Sequence, residues 1–137
     1  MFYGMNAWFL ATLATGALWW VAIASLPAWR KLPREAAAKA YAAAWSRGGP
    51  VLALLAGGSA VLGVIAASDE PDQKWAIGAG FMAAAILFSL LFMSKTGHAL
   101  RDGTGDAHAL LRRWGRRHLL RCLLTSIGVF FYIWAAH

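Results

Sequence analysis

Acid is scarce in this sequence. Six Asp and Glu stand against thirteen Lys and Arg, for a formal net charge of +7, and charged residues make up 14% of the chain. Soluble domains average about 25%, so a charge-clad soluble surface is excluded. The acids are also missing from where they would matter most. No Asp, Glu, Lys or Arg occurs in 1–29, 48–68, 75–94 or 122–136. A proton-coupled exchanger needs a carboxylate inside the membrane, and these runs offer none. There is one cysteine, Cys122. An internal disulfide and a Cys-rich metal motif are therefore excluded, and Cys122 reads as a small helix-packing residue.

What is abundant is apolar surface, at 60% hydrophobic residues. About 20 apolar residues cross a ~30 Å hydrocarbon layer, and the first three uncharged runs meet that length. The fourth is shorter and spans only if it begins near His118, which takes Arg121 into the helix. The opening "MFYGMNAWFL" lacks the basic segment of a cleaved signal peptide, so the first run reads as an anchor.

Twelve of the thirteen basic residues fall in two segments. Segment 30–47 holds Arg30, Lys31, Arg34, Lys39 and Arg47; segment 95–121 holds Lys95, Arg101, Arg112, Arg113, Arg116, Arg117 and Arg121. The loop between them, "SDEPDQK", is acidic apart from Lys74. Basic loops stay cytoplasmic, so topology accounts for the charge and nucleic acid is not needed to explain it. The expectation is an all-α, four-helix transmembrane bundle, antiparallel and up-down, forming a single integral membrane domain over 1–137. Spans are expected near 6–28, 50–68, 75–95 and 118–136, with both termini non-cytoplasmic. The location expected is a bacterial-type inner membrane, crossed several times.

The two basic loops are expected to carry helical extensions. In "LPREAAAKAYAAAWSR" Pro33 suits a first helical turn and the alanines favour helix. "GGP" at 48–50 is expected to break that extension before the second span. The basic faces would attract anionic lipid headgroups. Gly57, Gly58, Ser59, Ala60 and Gly63 in the second span, and Gly78, Gly80 and Ala83–Ala85 in the third, let helices approach closely. These small-residue faces leave homo-oligomerisation open.

One segment concentrates chemistry. In "RRWGRRHLLRCLLT" the positions 114, 118, 121 and 125 fall four, three and four apart, on one helical stripe. They are Trp114, His118, Arg121 and Thr125. Facing lipid headgroups, Arg121 would simply snorkel. Facing the bundle, Arg121 would supply a cation, His118 a base that titrates near neutrality, and Trp114 an aromatic wall. His98 is expected at similar depth on the third helix. His98, His108 and His118 with Asp102 and Asp106 match no metal-ligand spacing, so no metal is assigned.

Two segments resemble the anthrone oxygenase-like family of small four-helix membrane proteins. They are "TGALWWVAIASLPAWRKLP" (15–33), a span ending in Pro, an aliphatic or aromatic residue and Arg, and "RRWGRRHLLRCLLT" (112–125), similar to a Trp-x-x-x-His-x-x-Arg signature entering the last helix. Where family members carry Asn at the inner end of the third helix, this chain reads "SKTGHAL". The resemblance implies a monooxygenase-type oxidoreductase acting with dioxygen on polycyclic phenolic substrates, without metal or flavin. It implies His118 as base and Arg121 as the group that stabilises the resulting anion. Trp114, His98, Thr125 and Trp29 would line the substrate site. Two other readings stay open: a non-enzymatic accessory subunit or small-ligand binder, and a small-molecule transporter.

Overall fold

A computed structural model describes all residues, Met1–His137. The chain forms four long helices: α1 Phe2–Arg30, α2 Arg34–Asp69, α3 Gln73–Asp102 and α4 Ala107–Ala136. Each is long and apolar enough to cross a membrane. Only 33 of 137 residues are buried, and the large side chains left outside are the apolar ones. Phe9, Ile23, Leu54, Leu91 and Phe130 are all more than half exposed. In water such a surface would aggregate; in lipid it is the solvated surface, and the protein is a membrane protein.

Local chemistry sets the helix ends. Asp72 accepts from the Lys74 amide (2.9 Å) and Asp106 from the His108 amide (3.1 Å), capping α3 and α4. The α3 C-terminus closes with Gly103 at φ +68°. Its amide bonds the Leu100 carbonyl at 3.3 Å, and the Thr104 amide bonds the Ala99 carbonyl at 3.0 Å. That reciprocal pair requires a left-handed residue, which glycine supplies without steric cost.

The break expected at "GGP" does not occur. α2 runs unbroken from Arg34 to Asp69 with Pro50 inside it. In hydrocarbon an interrupted helix would leave several amides and carbonyls unpaired, so losing one hydrogen bond at Pro50 costs less than stopping. Two stretches do depart from α geometry: π-helical turns at Val21–Ser25 and Ser89–Met93. Pro27 accounts for the first. It has no N–H for the Ile23 carbonyl, so the turn before it widens.

Each helix packs on its sequence neighbours, and α1 also packs on α4, closing a ring. At one end the N-terminal ammonium meets Glu70, and Lys74 lies 5.1 Å from the Trp134 ring centroid. The ammonium holds the Glu70 carboxyl below its ordinary range, and the Lys74 amide does the same for Asp72. This is the acidic end. At the other, the basic end, Arg34 pairs with Asp106 at 3.6 Å, and the His108 Nε2–H donates to the Leu32 carbonyl at 2.8 Å.

The acidic half is closely filled. Ala7, Ala11, Ala14, Ala56, Ala66, Trp75, Met82 and Tyr132 form one buried cluster. The Tyr132 hydroxyl donates to the Ser59 carbonyl at 3.0 Å, and Ser59 Oγ donates to the Ala7 carbonyl at 2.8 Å. A Cβ added at Gly78 would stand 2.5 Å from the Tyr132 ring. In lipid, where helix association rests on packing and hydrogen bonds, this glycine lets α3 and α4 touch.

Candidate functional site

At the basic end the ring of helices opens. A cavity of about 310 Å³ lies among α2, α3 and α4 with Leu18 of α1 at its edge. Its walls include Tyr41, Trp45, Gly49 and Pro50 of α2. From α3 come Ser89, Met93, His98 and Arg101, and from α4 Trp114, Arg121 and Thr125. Pro50 of α2 and Leu90 of α3 both line it and are exposed on the outer surface, so the cavity opens along the α2–α3 seam. The glycine next to Pro50 has a local reason. A Cβ at Gly49 would press on the Trp45 indole at 3.2 Å, which needs that space to fold over the cavity.

Arg121 is the central group. It is 7% exposed. It stands 15 residues from the end of α4, about 22 Å at 1.5 Å per residue. Its Nη1 donates to Ser89 Oγ at 3.0 Å and its Nη2 to His118 Nδ1 at 2.5 Å. The guanidinium carbon lies 4.8 Å from the Trp45 ring centroid and 5.6 Å from that of Trp114. Those indole faces attract a cation but carry no net charge. The Nε–H is buried and has no partner. Every contact of Arg121 within the protein is thus neutral.

His118 is fully buried. Its Nε2 lies 2.8 Å from the Leu18 carbonyl. A carbonyl only accepts and a guanidinium only donates, so the ring is held neutral, with its proton on Nε2 and its lone pair on Nδ1 given to Arg121. Trp114 stacks on the ring at 4.6 Å between centroids with an 11° interplanar angle. One ring face and both nitrogens are therefore committed, and His118 is not among the residues bordering the cavity.

The two π-helical turns lie where the other helices meet this pair. Leu18, whose carbonyl holds His118, lies one turn before Val21–Ser25, and Ser89 opens the second turn. Ser89 Oγ also donates to the Ala85 carbonyl at 2.9 Å, which leaves its lone pair for Arg121. Arg117 reaches the Phe92 carbonyl of the same π turn. It therefore binds α3, whereas Arg112, Arg113 and Arg116 are exposed as the stripe arrangement implies. π-helical turns recur at functional sites because they redirect backbone groups.

The six residues singled out from the sequence divide by position. Arg121, Trp114, Thr125 and His98 border the cavity. His118 lies behind Arg121. Trp29 is buried in a second cluster with Leu26, Tyr41, Leu111 and Trp114, edge-on to Tyr41 at 5.9 Å, and does not reach the cavity. Thr125 Oγ1 donates to the Cys122 carbonyl of its own helix at 3.0 Å. His98 accepts from Arg101 Nη2 on Nδ1 at 2.7 Å. His98, His108 and His118 bond to three different partners, and no group of three His, Cys, Asp or Glu side chains could hold a metal ion.

Among the wall residues that the sequence did not mark as site residues are Tyr41, Trp45 and Ser89. Tyr41 and Trp45 fall one turn apart in an alanine run, a spacing that marks a shared helical face. Ser89 carried no signal beyond being a lone hydroxyl in an apolar span.

Chemically, the arrangement is a flat-walled aromatic cavity with a cation at its floor. Comparison with curated proteins and with solved structures gives no match. The sequence model of the anthrone oxygenase family matches residues 41–131. That stretch starts at Tyr41 and holds every cavity-lining side chain named above except Leu18; the 15–33 segment with Trp29 lies outside it. With two thirds of its length matched, the chain belongs to the anthrone oxygenase family.

Proposed function

We propose that this protein oxidises a hydrophobic polycyclic phenolic substrate with dioxygen, in the cavity above Arg121 and without metal or organic cofactor. The observation that carries the reading is the guanidinium itself: buried, cushioned by two indoles, without an acid partner and bordering a cavity. A planar aromatic ketone would lie against the wall that Trp45 and Trp114 form together, their rings meeting edge to face with centroids 5.2 Å apart. Loss of its acidic proton gives an enolate or phenolate whose charge Arg121 stabilises. That electron-rich anion reduces dioxygen directly. For an anthrone-type ring, one oxygen atom becomes the new ring carbonyl and the other leaves as water with the two ring hydrogens.

His118 acts here through Arg121. It fixes the guanidinium from behind, as a positioning residue, and leaves the Nε–H without a protein partner. The seam between α2 and α3 gives a lipid-dissolved substrate lateral access, which is why the reaction belongs in a membrane. The basic loops are placed in the cytoplasm and both termini outside, following the charge asymmetry. The test is turnover of a hydroxylated anthrone under ¹⁸O₂ by the protein in lipid nanodiscs. One ¹⁸O in the quinone product and one in water, absent from empty nanodiscs, is the expected result. Binding without oxygen uptake would make the protein a ligand binder instead.

A further inference from the structure

The cavity lacks an anionic acceptor. Arg121, Arg101 and the Trp45 and Trp114 indoles border it, and no Asp or Glu does. The acids are engaged or held elsewhere. Glu35 pairs with Lys39 (3.1 Å), Asp106 with Arg34 (3.6 Å), Asp72 with Lys74 (3.0 Å) and Glu70 with the N-terminal ammonium. Asp69 ends α2 and Asp102 ends α3. His98 and His118 share one arrangement, an i,i+3 pair in which an arginine Nη2 donates to Nδ1. A guanidinium cannot accept, so both rings carry their proton on Nε2. In His118 that proton goes to the Leu18 carbonyl. In His98, on the cavity wall, it remains as a donor.

A proton-abstracting base needs a free lone pair within reach of the proton it takes, and the Nδ1 of each ring already accepts from an arginine. A buried cation, by contrast, needs an anion: an arginine at this depth costs about 3 kcal/mol, and neutral indoles, a hydroxyl and an imidazole leave its charge in place. We infer that the cavity takes its ligand as an oxyanion and holds no base of its own, the ligand's oxygen serving as the missing counter-ion of Arg121. The inference rests on the proposed oxygenase reading for its choice of phenolic ligand. In the step itself the ligand O–H bond breaks, the electron pair stays on the oxygen facing Arg121, and the proton passes to water at the basic end. The titratable groups bordering the cavity are Tyr41 from α2, His98 and Arg101 from α3 and Arg121 from α4; His118 and Cys122 are buried and do not border it, and α1 contributes Leu18 alone.

A hydroxyanthraquinone dye tests this without any oxidation, since it is already a quinone and its visible band reports ionisation of the phenol. The dye is titrated against pH with the protein in phosphatidylcholine nanodiscs. The expected result is an ionisation midpoint at least about one pH unit lower when bound, a tenfold preference for the anion. Arg121→Gln abolishes the shift. Arg121→Lys, which keeps the charge, retains part of it, and this separates lost charge from lost fold. His98→Gln and His118→Gln leave a shift of the same sign. An unshifted midpoint, or a shift that survives Arg121→Gln, overturns the inference. So does displacement of the dye by phosphatidylglycerol at constant pH, because the anion at Arg121 would then be a lipid headgroup. A dye that shifts while anthrones are not oxidised would overturn the oxygenase reading and leave the oxyanion site standing.

Discussion

The two halves of the bundle use the same four helices differently. The acidic half closes its interior by fitting Trp75, Met82 and Tyr132 against alanines and glycines, with hydrogen bonds across helices from Tyr132 to Ser59 and from Ser59 to Ala7. The basic half inserts large aromatics, Tyr41, Trp45 and Trp114, which hold the helices apart around a cavity and a cation. Small residues give van der Waals contact, the main source of helix association in lipid. Aromatic spacers give up some of that contact and create a chamber. One half therefore carries the fold and the other carries the site, and substitutions should separate them.

The largest expected effect is Gly78→Leu in the closed half. A Cβ there already meets the Tyr132 ring at 2.5 Å and the Gly128 carbonyl at 3.1 Å. The loss should exceed about 3 kcal/mol, seen as failure to give a monodisperse protein in detergent. Gly80→Leu, where nothing lies within 4 Å, should stay within about 0.5 kcal/mol of wild type. Equal behaviour of the two would remove the claim that this half is close-packed.

His118→Ala comes next. It leaves the Leu18 carbonyl and Arg121 Nη2 without partners, for about 1–3 kcal/mol of stability in a thermal melt. Turnover should fall about tenfold, mostly in kcat, because a poorly placed guanidinium still binds. His118→Gln, whose amide offers both a donor and an acceptor, should restore most of it. A base would not be replaced by an amide, so this rescue separates positioning from proton transfer. His98→Gln at the cavity rim should act mainly on KM, by a few-fold. The smallest effect is at the acidic end. Asp72 is held below its ordinary 3.8 by the Lys74 amide it caps. A depressed carboxyl stabilises the fold above that ordinary value and loses its contribution as pH falls through the folded one. Asp72→Asn should abolish this slight acid sensitivity of the melting temperature without changing turnover.

Much of the fold was legible because hydrocarbon imposes length and neutrality. Four charge-poor runs and two basic loops gave four helices, and the 114–118–121–125 stripe faces the interior. "GGP" misled because its water-based meaning, a helix break, does not hold where unpaired backbone is costly. The stripe located Arg121 and Trp114 on the cavity wall. It could not order depth along one face, and so could not show His118 behind the arginine. That ordering depends on where Leu18 and Ser89 sit on other helices, beside π turns with no periodic signature. Trp29 was drawn in by its motif and its interface position, and packing instead turned it toward Tyr41 and Leu26.

The most direct measurement is kcat/KM for hydroxyanthrone oxidation by wild type and Arg121→Gln, in identical nanodiscs and with matched thermal melts. The expected result is a loss of about 100-fold or more, the scale for removing a preorganised group at developing negative charge, with Arg121→Lys falling between. Arg121→Gln turnover within about twofold of wild type would contradict the assignment of this buried cation to the reacting anion.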